Sequence, residues 1–128
     1  MSETMGNVSR GTFIQEDTSV NPYTLVKHGT DDLEVVSAPS TNAVVVGVAD
    51  ETADATADHP VGVVMLGVAK LVIASATSKG AAITGTTGGK GLATTSAGDY
   101  CVSWLMETTT VSNQVARVLV NPFIYAIT

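Results

Sequence analysis

Histidine, cysteine and acidic side chains are the groups of this sequence that could do chemistry, and they are sparse. Its 128 residues include two histidines, His28 and His59, and one cysteine, Cys101. Because a zinc site needs several such ligands at regular spacing, none is predicted. Asp58 directly precedes His59 and could form an acid–base pair with it, but the two lie in a polar loop before a proline. A surface turn is the simpler interpretation.

Three further patterns resemble cofactor or ion sites but lack residues or spacings that such sites require. In the glycine-rich segment Gly85–Gly91, Lys90 is followed by glycine, where a phosphate-binding P-loop needs serine or threonine to hold Mg²⁺. The segment is better interpreted as a hairpin loop. Three aspartates in residues 50–58 are four positions apart, whereas a calcium loop needs acids at alternate positions around a glycine. Lys70 lies within an apolar run, unlike the exposed lysines that carry lipoyl or biotin. We therefore expect no catalytic residue, no cofactor and no metal, and hence no enzyme.

The net charge of the chain limits the classes of molecule that it can bind. The net charge is −6, which disfavours binding to nucleic acid or an anionic membrane. Residues 31–58 hold seven acids and neither lysine nor arginine, which predicts a solvated acidic face. A single cysteine cannot form an internal disulfide and fits a reducing compartment. The first residues lack a basic start and an apolar run, so no signal peptide is expected.

The segment at residues 60–74 is the element around which the fold is expected to form. Both of its alternating faces are apolar, β-branched residues dominate, and Lys70 is its one charge. Such a strand needs cover on both sides. It is shorter than the ~20 residues that a membrane-spanning helix requires. Long helix formers are sparse along the chain, so the sequence predicts an all-β protein.

The other predicted strands and the domain limits follow from turn residues and alternation. We expect a flexible N-terminal arm at residues 1–12, a β domain at 13–120 and a C-terminal tail at 121–128, with Asn121-Pro122 ending the last strand. Tyr100 and Trp104 are interpreted as core anchors of their strand, with an interface role as the alternative. Besides residues 60–74, the predicted strands are Tyr23–Lys27, Leu33–Val36, Ala43–Ala49, Leu92–Thr95, Tyr100–Glu107 and Gln114–Val120.

The apolar residues exceed what one thin sheet can cover, which favours self-association. The segment Thr12–Gln15 is either a first short strand or a segment that orders only against a partner. Apolar groups near both termini lie outside the core pattern and are suited to binding a neighbouring molecule. The candidate binding residues are Thr12, Phe13, Ile14, Gln15, Phe123, Ile124 and Tyr125.

The order of these pieces resembles the small phage capsid cement, or head decoration, proteins. The resemblance runs from about Phe13 to Val120, and the long acidic first half and the tail Asn121–Thr128 depart from the usual pattern. It is carried by short patterns of glycine, alanine and valine. These are Val46–Ala49, an acidic loop, Pro60–Val63, Gly67–Ala69, Lys79–Thr84, Gly89–Thr95, Gly98–Tyr100, Leu105–Glu107 and Gln114–Val120.

This resemblance implies a compact, small β-sandwich or barrel-like domain of the β-tulip type. It implies a protein made in the host cytoplasm and placed on the outer capsid surface of the virion. Its partners would be the major capsid protein and further copies of itself, as a homotrimer. Its function would be to stabilise the assembled head by bridging neighbouring capsomers. The alternative is a carbohydrate- or surface-binding β module, which would show clustered exposed aromatic side chains.

Overall fold

The apolar segment at residues 60–74 forms one long strand, β5 (Pro60–Ile73), as predicted. The structure is a computed structural model and describes residues 9–38 and 44–124. In β5 the side chains of Val61, Val63, Leu71 and Ile73 are almost wholly buried. These are β-branched or large apolar residues at alternate positions, so one face of the strand lies in the core along most of its length.

The described residues form nine strands and one short 3-10 turn, Thr87–Gly89. No α-helix occurs among them, which confirms the predicted all-β class. The strands are β1 (Ser9–Gln15), β2 (Leu25–His28), β3 (Glu34–Ser37), β4 (Gly47–Ala49), β5 (Pro60–Ile73), β6 (Ala82–Thr86), β7 (Lys90–Ala93), β8 (Tyr100–Leu105) and β9 (Gln114–Ile124).

The strands close into two rings that share β5. The first ring, called here the first barrel, runs β1-β3-β2-β4-β5 and closes where β5 pairs with β1. The second barrel runs β5-β7-β6-β8-β9 and closes where β5 pairs with β9. The N-terminal half of β5 is antiparallel to β1, with Phe13 opposite Val61, and its C-terminal half is antiparallel to β9, with Lys70 opposite Arg117. The predicted barrel-like fold is therefore confirmed.

Two clusters of buried side chains match this division. The smaller cluster lies in the first barrel and includes Phe13, Val26 and Val61. The larger cluster fills the second barrel and also takes in Leu25 and Val48 from strands of the first. The two barrels thus share apolar contacts as well as β5.

Two glycines show why close packing interrupts the apolar strands. A Cβ atom on Gly47 would collide with the backbone oxygen of Val64 on β5, so only glycine fits at this point of β4. Gly67 has a φ of 111°, a conformation that favours glycine, and it lies where the partner of β5 changes from β1 to β9.

Several strand limits differ from the predicted ones. β1 begins at Ser9, inside the arm predicted for residues 1–12, because Ser9 to Ile14 pair with β5. Residues 1–8 lie outside the described part of the chain. The predicted strand Ala43–Ala49 is shorter, since β4 begins at Gly47.

The last strand does not stop at Asn121-Pro122 but continues to Ile124. Pairing with β5 ends at Val120, whereas pairing with β8 resumes at Phe123 after a register shift. Pro122 therefore lies in a bulge with no β5 partner, where its missing N–H breaks no hydrogen bond of that ladder.

Candidate binding surfaces

The N-terminal candidate residues belong to β1 and face in different directions. Phe13 and Gln15 are buried, Ile14 is half-buried and Thr12 is exposed. Of the two alternatives for this segment, the structure shows the strand, ordered within its own chain. Thr12 and Ile14 remain accessible to a partner, and a binding role for them stays a prediction.

Hydrogen bonds of Gln15 connect β1 to the loop before β5. Its amide nitrogen donates to Oδ1 of Asp54 at 2.9 Å and to the His59 carbonyl at 3.3 Å, while its amide oxygen accepts from the Asp54 backbone N–H. Asp54 Oδ2 lies 3.0 Å from His59 Nδ1. The hydrogen bonds from His59 and then Gln15 hold the pKa of Asp54 below its ordinary value. His59 thus pairs with Asp54 rather than with the adjacent Asp58, and both partners are exposed.

The acidic segment is only partly the solvated face that its composition predicts. Asp31, Asp32 and Glu51 are exposed, but Asp50 is buried. Its carboxylate accepts hydrogen bonds from Arg10 at 2.7 Å and from the backbone and hydroxyl of Thr52. Arg10 lies forty residues earlier, so this compensation of a buried charge depends on the pairing of β1 with β5.

The C-terminal candidates lie at the end of β9. Phe123 stacks on Trp104 of β8, with ring centroids 4.4 Å apart and an angle of 7° between the rings. The backbone of Ile124 pairs with Tyr100. Tyr125 lies outside the described residues.

Trp104 and its neighbours form an exposed apolar surface on the second barrel. Trp104 is 37% exposed, so the interpretation of this side chain as a core anchor is wrong. In β8 the smaller side chains Cys101 and Ser103 point inward with Leu105, because alternate residues of a strand share one face and this face of β8 lies on the core. Cys101 is a buried core residue.

Cross-strand pairing arranges this surface, called here the outer face, in three rows. The first row joins Val68, Leu119 and Trp104, and the third joins Val72 and Val115. The middle row pairs Lys70 with Arg117. Leu119 and Val115 are 40% and 42% exposed, as expected from their alternation with outward-pointing Arg117.

The middle row carries the charge of the outer face. The Arg117 guanidinium lies 3.2 Å from Glu107 Oε1, and the Arg117 backbone donates to Glu107 Oε2 at 2.7 Å. These hydrogen bonds hold the pKa of Glu107 below its ordinary value. Exposed aromatic and aliphatic side chains beside an arginine are suited to protein binding, because aromatic residues and arginine are enriched in protein interfaces and charges fix the orientation of a partner.

The described residues offer little for other kinds of site. Within residues 9–38 and 44–124, no three His, Cys, Asp or Glu side chains gather closely enough to hold a metal ion. That part of the chain also contains no helix with the length and apolar character to span a bilayer.

Comparison with known proteins identifies a structural neighbour. The fold is similar to the crystal structure of the head fiber gp8.5 N base in bacteriophage phi29, with a TM-score of 0.69 and 18% sequence identity. The similarity covers 89% of this chain and 94% of that one. No protein-family model matches the sequence, and neither does any curated protein. The chain therefore shares a fold with the base of a phage head fiber.

Proposed function

We propose that this protein is a structural component of a phage head and acts by binding, without catalysis. The observation that carries the proposal is the fold shared with the phi29 head fiber base over nearly the whole length of both chains. The sequence resemblance to head decoration proteins, which comes from different evidence, supports the same class.

In its finer form the proposal is a decoration or cement role. The protein binds the major capsid protein at the outer surface of the assembled head, as a homotrimer that bridges neighbouring capsomers. A ligand that binds only the assembled shell stabilises it by mass action. Many weak contacts repeated over the shell add through multivalency.

The outer face is the surface that we assign to this binding. It combines exposed Trp104, which stacks on the half-buried Phe123, with exposed Leu119, and aromatic residues often dominate the energy of protein interfaces. Thr12 and Ile14 of β1 provide a second accessible strip. Residues 1–8 precede this strip and can be removed without removing β1.

Cosedimentation with assembled heads of the phage that encodes the chain tests the proposal. We expect Leu119→Ala and Trp104→Ala to weaken binding about tenfold or more, because truncation of a central interface residue often costs over ~1.4 kcal/mol. Leu33→Ala is the matched control, since Leu33 is 65% exposed in a turn of the first barrel, away from the outer face. Absence of cosedimentation of the unchanged protein would overturn the proposed function.

A variant lacking residues 1–8 tests whether the predicted N-terminal arm contributes to binding. If the arm contributes contacts, this variant keeps its fold but binds heads less tightly. Equal binding by the full chain and the shortened chain would reject a role for the arm.

A carbohydrate-binding module is the second candidate, and the exposed Trp104 that stacks on Phe123 is the observation that favours it. Tryptophan faces are common platforms for sugar rings. Titration with oligosaccharides, followed by the fluorescence of this sole tryptophan, distinguishes the two candidates. A saturable change with sugar but not with heads would favour the module.

A further inference from the structure

A surface cavity of about 220 Å³ lies where the two barrels meet. It is smaller than the ~300–1,000 Å³ of typical sites for drug-sized ligands, so it fits one side chain or a small molecule. The strands β1, β5 and β9 and the segment after β4 contribute to it. Its charged and aromatic lining residues are Arg10, Tyr23, Asp50, Glu51, Lys70 and Arg117.

The cavity concentrates positive charge in an acidic protein. The lining includes three of the six lysine and arginine residues of the chain, but only two of its twelve acids. Glu107, which lies just outside the lining at 3.2 Å from the Arg117 guanidinium, balances the third cation. The acids around the cavity would repel a multiply charged anion more strongly than a singly charged one.

Lys70 is the lining cation that is available to a singly charged anion. Arg10 is engaged by the buried carboxylate of Asp50, and Arg117 by Glu107. Within the described residues Lys70 has no ion pair, and its ammonium lies 5.8 Å from the centroid of the Tyr23 ring. A cation over an aromatic ring is held in place but keeps N–H donors for another acceptor.

Tyr23 is held at the cavity in an unusual backbone conformation. Its φ is 61°, in the left-handed region that bulky residues seldom adopt. Two backbone hydrogen bonds fix it there, from its own N–H to the Ala49 carbonyl at 2.9 Å and from Val72 N–H to its carbonyl at 2.8 Å. Such outliers cluster at ligand sites, where the surrounding structure imposes them.

From these observations we infer that the cavity binds a carboxylate on a short apolar stem, as in an aspartate or glutamate side chain of a neighbouring protein chain. The carboxylate accepts hydrogen bonds from the Lys70 ammonium. The stem packs on Val68 and Ala69, which also line the cavity. This inference does not depend on the phage assignment, because it rests on the cavity alone.

Binding of a single-carboxylate probe to the full chain tests the inference. The probe is N-acetyl-glutamate methylamide, and its neutral counterpart is N-acetyl-glutamine methylamide. We expect saturable NMR shifts of the amides of Tyr23, Lys70 and Arg117 with a Kd on the order of millimolar, as befits one charge-assisted contact by a small ligand. Equal binding of the neutral probe, or no saturable shift at these amides, would overturn the inference.

Two lysine variants locate the contact. Lys70→Met retains an unbranched stem without the charge and should weaken the acidic probe about fivefold or more. Lys79→Met makes the same change at an exposed lysine in a turn that does not line the cavity, and should leave the affinity unchanged. An unchanged affinity in Lys70→Met, or an equal loss in Lys79→Met, would contradict the assignment.

Sedimentation of the same two variants distinguishes the sources of the carboxylate. If a second copy supplies it, Lys70→Met reduces self-association of the purified protein. If a head protein supplies it, the variant self-associates normally but binds heads less tightly. A variant that behaves like Lys79→Met in both measurements would overturn the assignment to a protein carboxylate, whether or not the protein binds heads.

Discussion

The first barrel buries two large polar side chains, whereas the second barrel exposes apolar side chains that lie side by side on one face of its sheet. The first barrel encloses Gln15 and Asp50, each satisfied by hydrogen bonds to groups far away in the sequence. The second barrel presents Val115, Leu119 and Trp104 to solvent on one face of its sheet. The two barrels share β5, so this difference is not imposed by separate folding units.

The contrast indicates a division of tasks. Buried polar networks specify one arrangement of the chain and leave little for a partner to bind. An exposed apolar face with a charged middle row is suited to contact with another molecule. The polar network of the first barrel therefore helps to specify the fold. The second barrel offers the protein's larger accessible binding surface.

The largest expected effect comes from a leucine that faces the core of the second barrel. Leu71→Ala should lower the free energy of unfolding by about 2–5 kcal/mol, because the fully buried side chain leaves a cavity. Since β5 belongs to both rings, we expect both barrels to lose stability together. Urea unfolding followed by Trp104 fluorescence reports on the second barrel, and hydrogen exchange of the Val26 and Val35 amides reports on the first.

Leu119→Ala is the matched control for this prediction. It removes the same atoms from a half-exposed position and should change the free energy of unfolding by less than ~1 kcal/mol. If Leu71→Ala destabilised the second barrel while the first kept its protection, the two barrels would be independent units, and the role of β5 as a shared element would be refuted.

A smaller effect is expected where β4 approaches β5. Gly47→Ala should destabilise the protein by about 1–3 kcal/mol, because the new methyl group meets the Val64 carbonyl oxygen and forces the backbones apart. Gly11→Ala is the control in the same barrel. Its methyl group would lie 3.1 Å from the flexible end of Met65 and 3.1 Å from the ring edge of Phe13, so it meets side chains and no backbone atom, and a small side-chain shift can relieve these contacts. Equal urea midpoints for the two variants would show that β4 does not need glycine.

Local patterns of the sequence predicted much of the fold. The run of β-branched residues at 60–74, apolar on both faces, predicted β5. The glycine-rich segment Gly85–Gly91 was expected to be a hairpin loop, and β6 and β7 do pair antiparallel across it.

The predictions that were wrong concern features that depend on residues far apart in the sequence. Trp104 lies on the solvent side of β8 because Ser103 and Leu105 take the core side, and which face of a strand is covered depends on the strands that pack against it. Asp50 is buried because Arg10, on a strand forty residues earlier, compensates its charge. No pattern within either segment contains this information. The cavity at Lys70 was missed for the same reason, since its lining comes from several separate strands.

The smallest expected effect compares one surface carboxylate in each barrel as the pH falls. Asp54 in the first and Glu107 in the second both have pKa values below their ordinary values of 3.8 and 4.5, owing to hydrogen bonds from His59 and Gln15 and from Arg117 respectively. A carboxyl group with a lowered pKa in the folded state contributes stability above its unfolded-state pKa, and this contribution is lost as the pH falls through the folded-state value.

Asp54→Asn and Glu107→Gln should therefore each reduce the dependence of the urea midpoint on pH, Glu107→Gln beginning near pH 4.5 and Asp54→Asn near pH 3.8. Because both groups are exposed, the differences should be small and should shrink at high salt. Asp54 also bonds buried Gln15, so its substitution should lower the midpoint at neutral pH more than Glu107→Gln does. A larger neutral-pH loss in Glu107→Gln would indicate that the charged row of the outer face, not the buried network of the first barrel, holds the fold together.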